Sequence, residues 1–428
     1  MRKVHGPVVA ALDIGTTKIC ALQAQFDKKT KRLKPLGLGR VQAEGISGAK
    51  VTNLDKLADS ITAAVESFQN QAGMRFPSKV YVGVAGNHCE SENKEVRVEI
   101  KSPARGIRPA DVERAIRRVR EEYAVKPPNK SLLHIIIQGY RIGNDEMLVE
   151  DPINLHAESL TVCMHLVYAD RLSLTNIFKA VSLAGLDVKE VVLESYASSL
   201  AVLTPSERQN GVILLDMGGG TTDIAVFDKG SLVFTGVIPF AGDSITNDIA
   251  KVCHVTEKDA ETLKRKCELG THSNRDQLVH VPNVYTGREE PIRLEDIEEA
   301  VNARVEEILC DARDLLRKHE IFSTYCPGGL VLTGGTAQLA GIDRVAQRVF
   351  ESAVGLYWPQ RFSVQVKTPA NGPLHIAGES LYEDPALATV CGLAYYGLSG
   401  RSISSGVVGR SSRWDIIKSL FRQLLGEA

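Results

Sequence analysis

LLDMGGGTTDIAVF, residues 214–227, carries an apolar run to Asp216, breaks into three glycines and two threonines, and then resumes as a second apolar run. Short apolar runs on either side of a glycine turn read as two buried strands closed into a hairpin. Glycine in such a turn allows positive φ and lets a ligand approach the backbone. A second stretch, AALDIGTTKICAL at 10–22, repeats the order apolar run, Asp, Gly, Thr-Thr, apolar run, with two glycines fewer. Two related hairpins in opposite halves of the chain predict a duplicated fold.

The turn chemistry suggests what such hairpins hold. Exposed backbone N–H groups flanked by threonine hydroxyls form a concave donor surface for phosphate oxygens. This assigns Gly15, Thr16, Thr17, Gly218, Gly219, Gly220, Thr221 and Thr222 to phosphate binding, with Lys18 as an added cation. A carboxylate at the mouth of a phosphate turn would repel its ligand unless a divalent cation lies between them. Mg²⁺, which keeps much of its water shell, is the usual intermediary. Asp13, Asp216 and Asp223 are therefore candidate Mg²⁺ ligands acting through water. A third glycine turn, Thr333-Gly334-Gly335, ends the strand Leu330 to Leu332 and is expected to lead into a helix. Glycines there allow a flat ring or a phosphate to press on backbone, so Gly334 and Gly335 join the nucleotide-binding set.

Composition sets the outer limits. At 428 residues the chain is expected to form two domains or two elaborated lobes. Its net charge of -1, from Lys+Arg 51 against Asp+Glu 52, argues against nucleic-acid binding, which favours a basic excess. The cysteines at 20, 89, 163, 253, 267, 310, 326 and 391 form no CxxC pair and no zinc or disulfide spacing, which fits a reducing cytosol. Asp13 interrupts the N-terminal apolar stretch before it could act as a signal sequence. No run reaches the ~20 apolar residues of a membrane span.

These three turns resemble the phosphate-1, phosphate-2 and adenosine motifs of the actin, Hsp70 and sugar-kinase ATPases. LESYASSLAVL at 193–203 and EDPALATVCGLAYYG at 383–397 resemble the two connecting helices of that fold. Ala197, Ser198 and Ala201 in one, and Ala386, Ala388, Gly392 and Ala394 in the other, would let two helices cross closely between lobes. Within this superfamily the chain resembles the FtsA family of bacterial cell-division proteins over nearly its whole length. The strings DIGTTKI, AETLKRKCELG and VNARVEEIL carry that resemblance.

The resemblance implies an α/β, duplicated actin-like (ribonuclease H-like) two-lobed ATPase fold with an inserted 1C subdomain and a C-terminal amphipathic helix. Its expected divisions are 1A at 1–86 and 169–205, 1C at 87–168, 2A at 206–244 and 321–382, and 2B at 245–320. A return helix to 1A at 383–398, a linker at 399–411 and a membrane-targeting helix at 412–428 complete them. It also implies that Glu261 and Lys264 approach ribose and adenine, that Asp216 or Glu194 orients an attacking water, and that ATP with Mg²⁺ is bound with at most weak turnover. The implied partners are the C-terminal peptide of FtsZ, other copies of the chain, later division proteins through 1C, and an anionic membrane. The implied location is the cytoplasmic face of the bacterial inner membrane at the division site.

Two further stretches bear on partners. Residues 399–412 hold nine Gly or Ser in fourteen and read as a flexible linker. After it, Trp414, Ile417, Leu420, Phe421, Leu424 and Leu425 recur at helical spacing, with Arg413, Lys418 and Arg422 on or beside the other face, as in an interfacial helix. A terminal helix docked on its own domain is the plainer alternative, and the linker weighs against it. Along 298–320, Val301, Val305, Ile308, Leu309, Ala312, Leu315 and Leu316 form a buried stripe, and Arg304 on the other face is the candidate for the acidic FtsZ peptide. A PilM-like pilus-assembly adaptor shares the core without this tail. A small-molecule kinase or phosphatase of the same fold would need a catalytic base and a substrate pocket, for which no sequence element stands out.

Overall fold

The computed structural model of the chain describes residues 7–27, 32–125, 129–270, 277–324, 328–351, 363–369 and 380–399. The membrane-helix residues Trp414, Ile417, Leu420, Phe421 and Leu424 therefore lie outside the described residues.

Two five-stranded sheets repeat one plan. The first runs in the order Asp187–Leu193, Lys79–Val84, Val8–Ile14, Lys18–Asp27, Arg32–Gln42. The second runs Val364–Val366, Leu330–Thr333, Val212–Met217, Thr222–Asp228, Ser231–Ile238. Each joins an antiparallel three-stranded meander to two parallel strands, with the Asp-bearing strand at the centre. A central strand covered on both faces needs an apolar residue at every position, which VILLDM supplies up to its aspartate. Alternation then divides the strand between two cores. Val212 and Leu214 face the core shared with the first lobe, whereas Ile213, Leu215 and Met217 face the helices of the second lobe.

The hairpin turns have equal length, which corrects the sequence alignment. Asp13 pairs with Cys20 and Asp216 with Asp223. Gly15 N–H donates to Lys18 C=O at 3.0 Å, and Gly218 N–H to Thr221 C=O at 2.9 Å. Thr16 and Thr17 thus stand where the other copy has Gly219 and Gly220, and Lys18 stands where it has Thr221. Matching letters paired threonine with threonine; the hydrogen bond that closes the turn sets the true register.

The connecting helices Glu194–Val202 and Ala388–Ser399 lie between the lobes and belong to one core with both sheets. They cross where Gly392 meets Ala197: a methyl group on Gly392 would fall 1.7 Å from the Ala197 carbonyl oxygen. Between the first lobe's strands, residues 89–170 form an antiparallel sheet in the order Cys89–Glu99, Ser159–Asp170, Lys130–Ile142, covered by the helix Pro109–Val125 around its own core. In the second lobe the long helix spans Leu294–Lys318. It buries the expected stripe except for Leu315, which packs partly buried at the rim. The helix expected to follow the Gly334-Gly335 turn begins at Ile342, after a 3₁₀ turn at Thr336–Gln338.

Candidate functional site

The two hairpin turns, the Gly334-Gly335 turn and the start of the first connecting helix converge on one cleft of about 670 Å³, counting its open mouth. Asp13, Gly15, Thr16, Thr17, Lys18, Glu194, Asp216, Gly218, Gly219, Gly220, Thr221, Asp223, Gly334 and Gly335 all line it. The turns meet almost face to face. A methyl group on Gly219 would fall 2.3 Å from Thr17 Cγ2, and one on Gly220 would fall 2.6 Å from Thr16 Oγ1. Glycine in the second turn is what leaves room for the threonines of the first. Gly334, held at φ +89°, brings its backbone against Asp216, where an added methyl would sit 2.5 Å from Oδ1. Positive φ and this contact both exclude a side chain there.

The cleft concentrates negative charge around Lys18. Lys18 Nζ lies 3.5 Å from Asp13 Oδ2. Burial works against its charge, but the carboxylates of Asp13 and Asp216 outweigh burial and hold it above its ordinary pKa. Burial raises the carboxyl of Glu194 well above the usual range, with Asp13, Asp223 and Asp216 adding to the shift. Burial also raises Asp216, against the pull of the Ser198 hydroxyl, Lys18 and Thr389, whose hydroxyl donates to Oδ2 at 3.1 Å. Asp223 is pushed up to about 7 by burial, although the Thr221 hydroxyl donates to its Oδ2. That bond is 2.8 Å long. The other oxygen, Oδ1, is buried without a hydrogen-bond partner. Clustered carboxylates and an orphaned carboxylate oxygen fit a bound cation. Among the described residues no three His, Cys, Asp or Glu side chains converge to coordinate an ion directly. A cation here would be held through its water shell, which is how Mg²⁺ tends to bind.

Three expected residues are not among those that line the cleft. Thr222 is fully buried, and its hydroxyl donates to the Phe240 carbonyl at 2.9 Å. Lys264 Nζ donates to the Gly242 carbonyl at 3.1 Å and to Thr246 Oγ1 at 2.8 Å, and pairs with Glu261 at 2.5 Å. Gly242 N–H and Asp243 N–H in turn donate to the carbonyls of Gly218 and Gly219, at 3.2 and 2.8 Å. Glu261 and Lys264 thus brace the helix Gly242–Cys253 that supports the second turn. Arg304 is engaged within the chain, its Nε donating to Asp248 at 2.5 Å and another guanidinium nitrogen to Glu307 at 2.7 Å.

Sequence reasoning missed other parts of the wall: Ile46 and Ala49, Gly83 to Ala85, Ile177 and Thr389. The glycines of EGISGAK at 44–50 and VGVAG at 82–86 were the available signal. A lone threonine in an apolar helix gave none.

The family model described as "Cell division protein FtsA" matches residues 213–392, and that for the "SHS2 domain inserted in FTSA" matches 86–168. The Hsp70 protein model matches 160–244. Among solved structures, the PilM–PilN type IV pilus biogenesis complex is similar with a TM-score of 0.62 at 16% identity, covering 91% of this chain and 98% of that one. MreB5 of Spiroplasma citri bound to ADP follows with a TM-score of 0.53 at 14% identity, covering 94% and 99%. At such identities the likeness establishes the actin-like, two-lobed fold alone. The cell division protein FtsA of Escherichia coli K12 is 31% identical over 405 residues, covering 91% of this chain and 90% of its own. That of Pseudomonas aeruginosa is 33% identical over 410 residues, covering 95% and 93%. At this identity across almost the full length of both proteins, the chain belongs to the FtsA family of cell-division proteins.

Proposed function

We propose that this chain binds Mg·ATP in the interlobe cleft, assembles with copies of itself, and tethers an FtsZ ring to the cytoplasmic membrane, where it recruits later division proteins through the inserted subdomain. The observation that carries the nucleotide reading is the meeting of the two equal turns, one from each lobe, around one cleft. Gly15 and Gly218 close the turns with their own N–H groups, and the backbone N–H groups of Thr16 to Lys18 and Gly219 to Thr221, with the hydroxyls of Thr16 and Thr17, hold phosphate oxygens, while Lys18 offsets their charge. Asp13, Asp216 and Asp223 hold hydrated Mg²⁺, whose chemistry when bound is to neutralise charge on the phosphates. Asp216 or Glu194 orients the water that would attack the terminal phosphate. Gly334 and Gly335 take the nucleoside side of the ligand, with Glu261 and Lys264 toward ribose and adenine. Nucleotide acts chiefly as a conformational ligand, because closing the cleft changes the surfaces that both lobes present.

The membrane contact belongs to residues 412–428, which carry the apolar stripe of Trp414, Ile417, Leu420, Phe421 and Leu424. A single helix of this kind binds lipid weakly, so self-assembly would strengthen attachment through avidity. For the FtsZ peptide, Arg304 remains the candidate; it would exchange its Asp248 and Glu307 partners for the peptide's carboxylates.

One experiment tests both halves. Full-length protein, Asp216→Ala and a truncation before Ser399 are sedimented with anionic vesicles, with and without Mg·ATP, and ATP affinity is measured by titration calorimetry. The expected result is loss of Mg²⁺-dependent affinity in Asp216→Ala and loss of pelleting in the truncation. Absence of ATP binding by wild type would remove the nucleotide assignment, equal Mg²⁺-dependent affinity in wild type and Asp216→Ala would remove the role of Asp216, and unchanged pelleting of the truncation would remove the anchor.

A further inference from the structure

We propose that Thr389 is a positioning residue: its hydroxyl, carried by the second connecting helix, aims the Asp216 carboxylate and thereby links cation occupancy of the cleft to the helix that joins the lobes. This rests on reading the cleft as a Mg²⁺-nucleotide site.

Besides the Ser198 hydroxyl of the first connecting helix, two neighbours hold the carboxylate. Thr389 Oγ1 donates to Asp216 Oδ2 at 3.1 Å, while the Gly334 backbone presses toward Oδ1. Thr389 itself is buried. It lies three residues before Gly392, so both occupy the helix face that meets the first connecting helix at Ala197. A β-branched side chain in a helix has few open rotamers, so the direction of its hydroxyl follows the helix backbone.

The two ends of this helix are attached to different lobes. Just before it, the Pro385 carbonyl accepts from Gly334 N–H at 3.2 Å and from the Thr333 hydroxyl at 3.3 Å, both in the second lobe. Near its other end, the Gly397 carbonyl accepts from the Tyr81 hydroxyl at 3.5 Å, in the first lobe. A methyl group on Gly397 would also fall 2.4 Å from Val9 Cγ2, again in the first lobe. A change in the angle between the lobes therefore acts on the start of this helix, where the second lobe holds Pro385. Thr389 lies in its first turn, where that movement changes the hydroxyl's aim at Asp216.

The test compares wild type, Thr389→Val, which keeps the shape and removes the donor, and Thr389→Ser, which keeps the donor. Binding of a non-hydrolysable ATP analogue is measured by calorimetry in EDTA and across a Mg²⁺ series. Amide exchange in 388–399 is followed in the same samples. In Thr389→Val the Mg²⁺ concentration for half-maximal effect should rise about tenfold, the scale of one hydrogen bond to a charged group, with affinity in EDTA unchanged. Thr389→Ser should return to within about twofold of wild type, since it restores that bond. Mg²⁺ should slow exchange of the helix amides in wild type and Thr389→Ser but not in Thr389→Val.

A wild-type Mg²⁺ response in Thr389→Val overturns the inference. So does a Thr389→Val protein that loses affinity equally with and without Mg²⁺, since that marks a packing role. If wild type binds no nucleotide under any condition, the cleft reading fails and takes this inference with it. Binding by wild type with an unaltered valine variant removes the inference alone.

Discussion

The carboxylate of Asp223 shows how burial becomes a pH dependence. Its Oδ2 accepts from the Thr221 hydroxyl at 2.8 Å, while Oδ1 is buried without a hydrogen-bond partner. Burial lifts it from the ordinary 3.8 to about 7. The folded protein therefore holds a proton here that the unfolded chain releases near pH 4. Its stabilising contribution is complete below that pH and disappears as pH rises through 7, amounting at most to roughly 4 kcal/mol for about three pKa units. Asp223→Asn removes the titration. Without nucleotide or Mg²⁺, the variant should melt several degrees above wild type at pH 8, and the two should converge below pH 4. Scanning calorimetry across pH checks this, and parallel curves at all pH values would count against it. Bound Mg²⁺ should act in the opposite direction, favouring the charged form and narrowing the difference at pH 8. Nearby thiols take no part in this chemistry: burial pushes Cys20 up to about 12 and raises Cys89 and Cys391, so they remain protonated at neutral pH.

Among the elements, the connecting helices show a local preference overruled by packing. Alanine in place of a helical glycine ordinarily gains about 1 kcal/mol. At Gly392 the new methyl would fall 1.7 Å from the Ala197 carbonyl oxygen, and the neighbour that must move is backbone. Overpacking of this kind typically costs about 1 to 3 kcal/mol, so it outweighs the propensity gain. Gly392→Ala should therefore lower the melting temperature by a few degrees, and a rise would show that the helices separate freely. The small residues that predicted this crossing were legible because helix packing leaves a spacing pattern. The apolar stripe of Leu294–Lys318 was legible for the same reason. Thr222 turns its hydroxyl to the Phe240 carbonyl, which could not be read because composition does not show which hydroxyl a turn directs inward. The helix expected to follow the Gly334-Gly335 turn is held back because the Thr336 hydroxyl ties that segment to the Gly218 carbonyl at 2.6 Å, and the helix begins only at Ile342, after Gly341 at φ +80°.

At the scale of the molecule, the duplication and the shared cleft followed from two short strings, since each turn carries its own chemistry. What the inserted sheet leans on could not be read, because contacts between distant segments leave no periodicity in either. It packs on Ser231–Ile238, the edge strand of the second sheet. Asn93 Nδ2 donates to the Val233 carbonyl at 3.0 Å, Gln138 Nε2 to the Leu232 carbonyl at 3.1 Å, and the Ser91 hydroxyl to the Thr235 carbonyl at 3.2 Å. His165 sits beneath them, its Nδ1 2.7 Å from Asn93 Oδ1, and burial lowers its pKa to about 4, so it stays neutral. The insertion thus grows from the first lobe and fastens to the second, covering an edge that would otherwise offer its backbone to another strand. Opening the cleft must break these bonds or carry the insertion with the second lobe. Asn93→Ala combined with Gln138→Ala removes two of them, for about 1 to 3 kcal/mol in total. Amide exchange across 231–238 should then quicken by about tenfold in the nucleotide-free protein, since about 1.4 kcal/mol corresponds to that factor. The central strand Val212–Met217 should keep its protection, because its bonds lie within the sheet. Equal acceleration of both strands would mean that the second lobe had been destabilised as a whole, and no acceleration in either would mean that apolar packing alone holds the insertion in place.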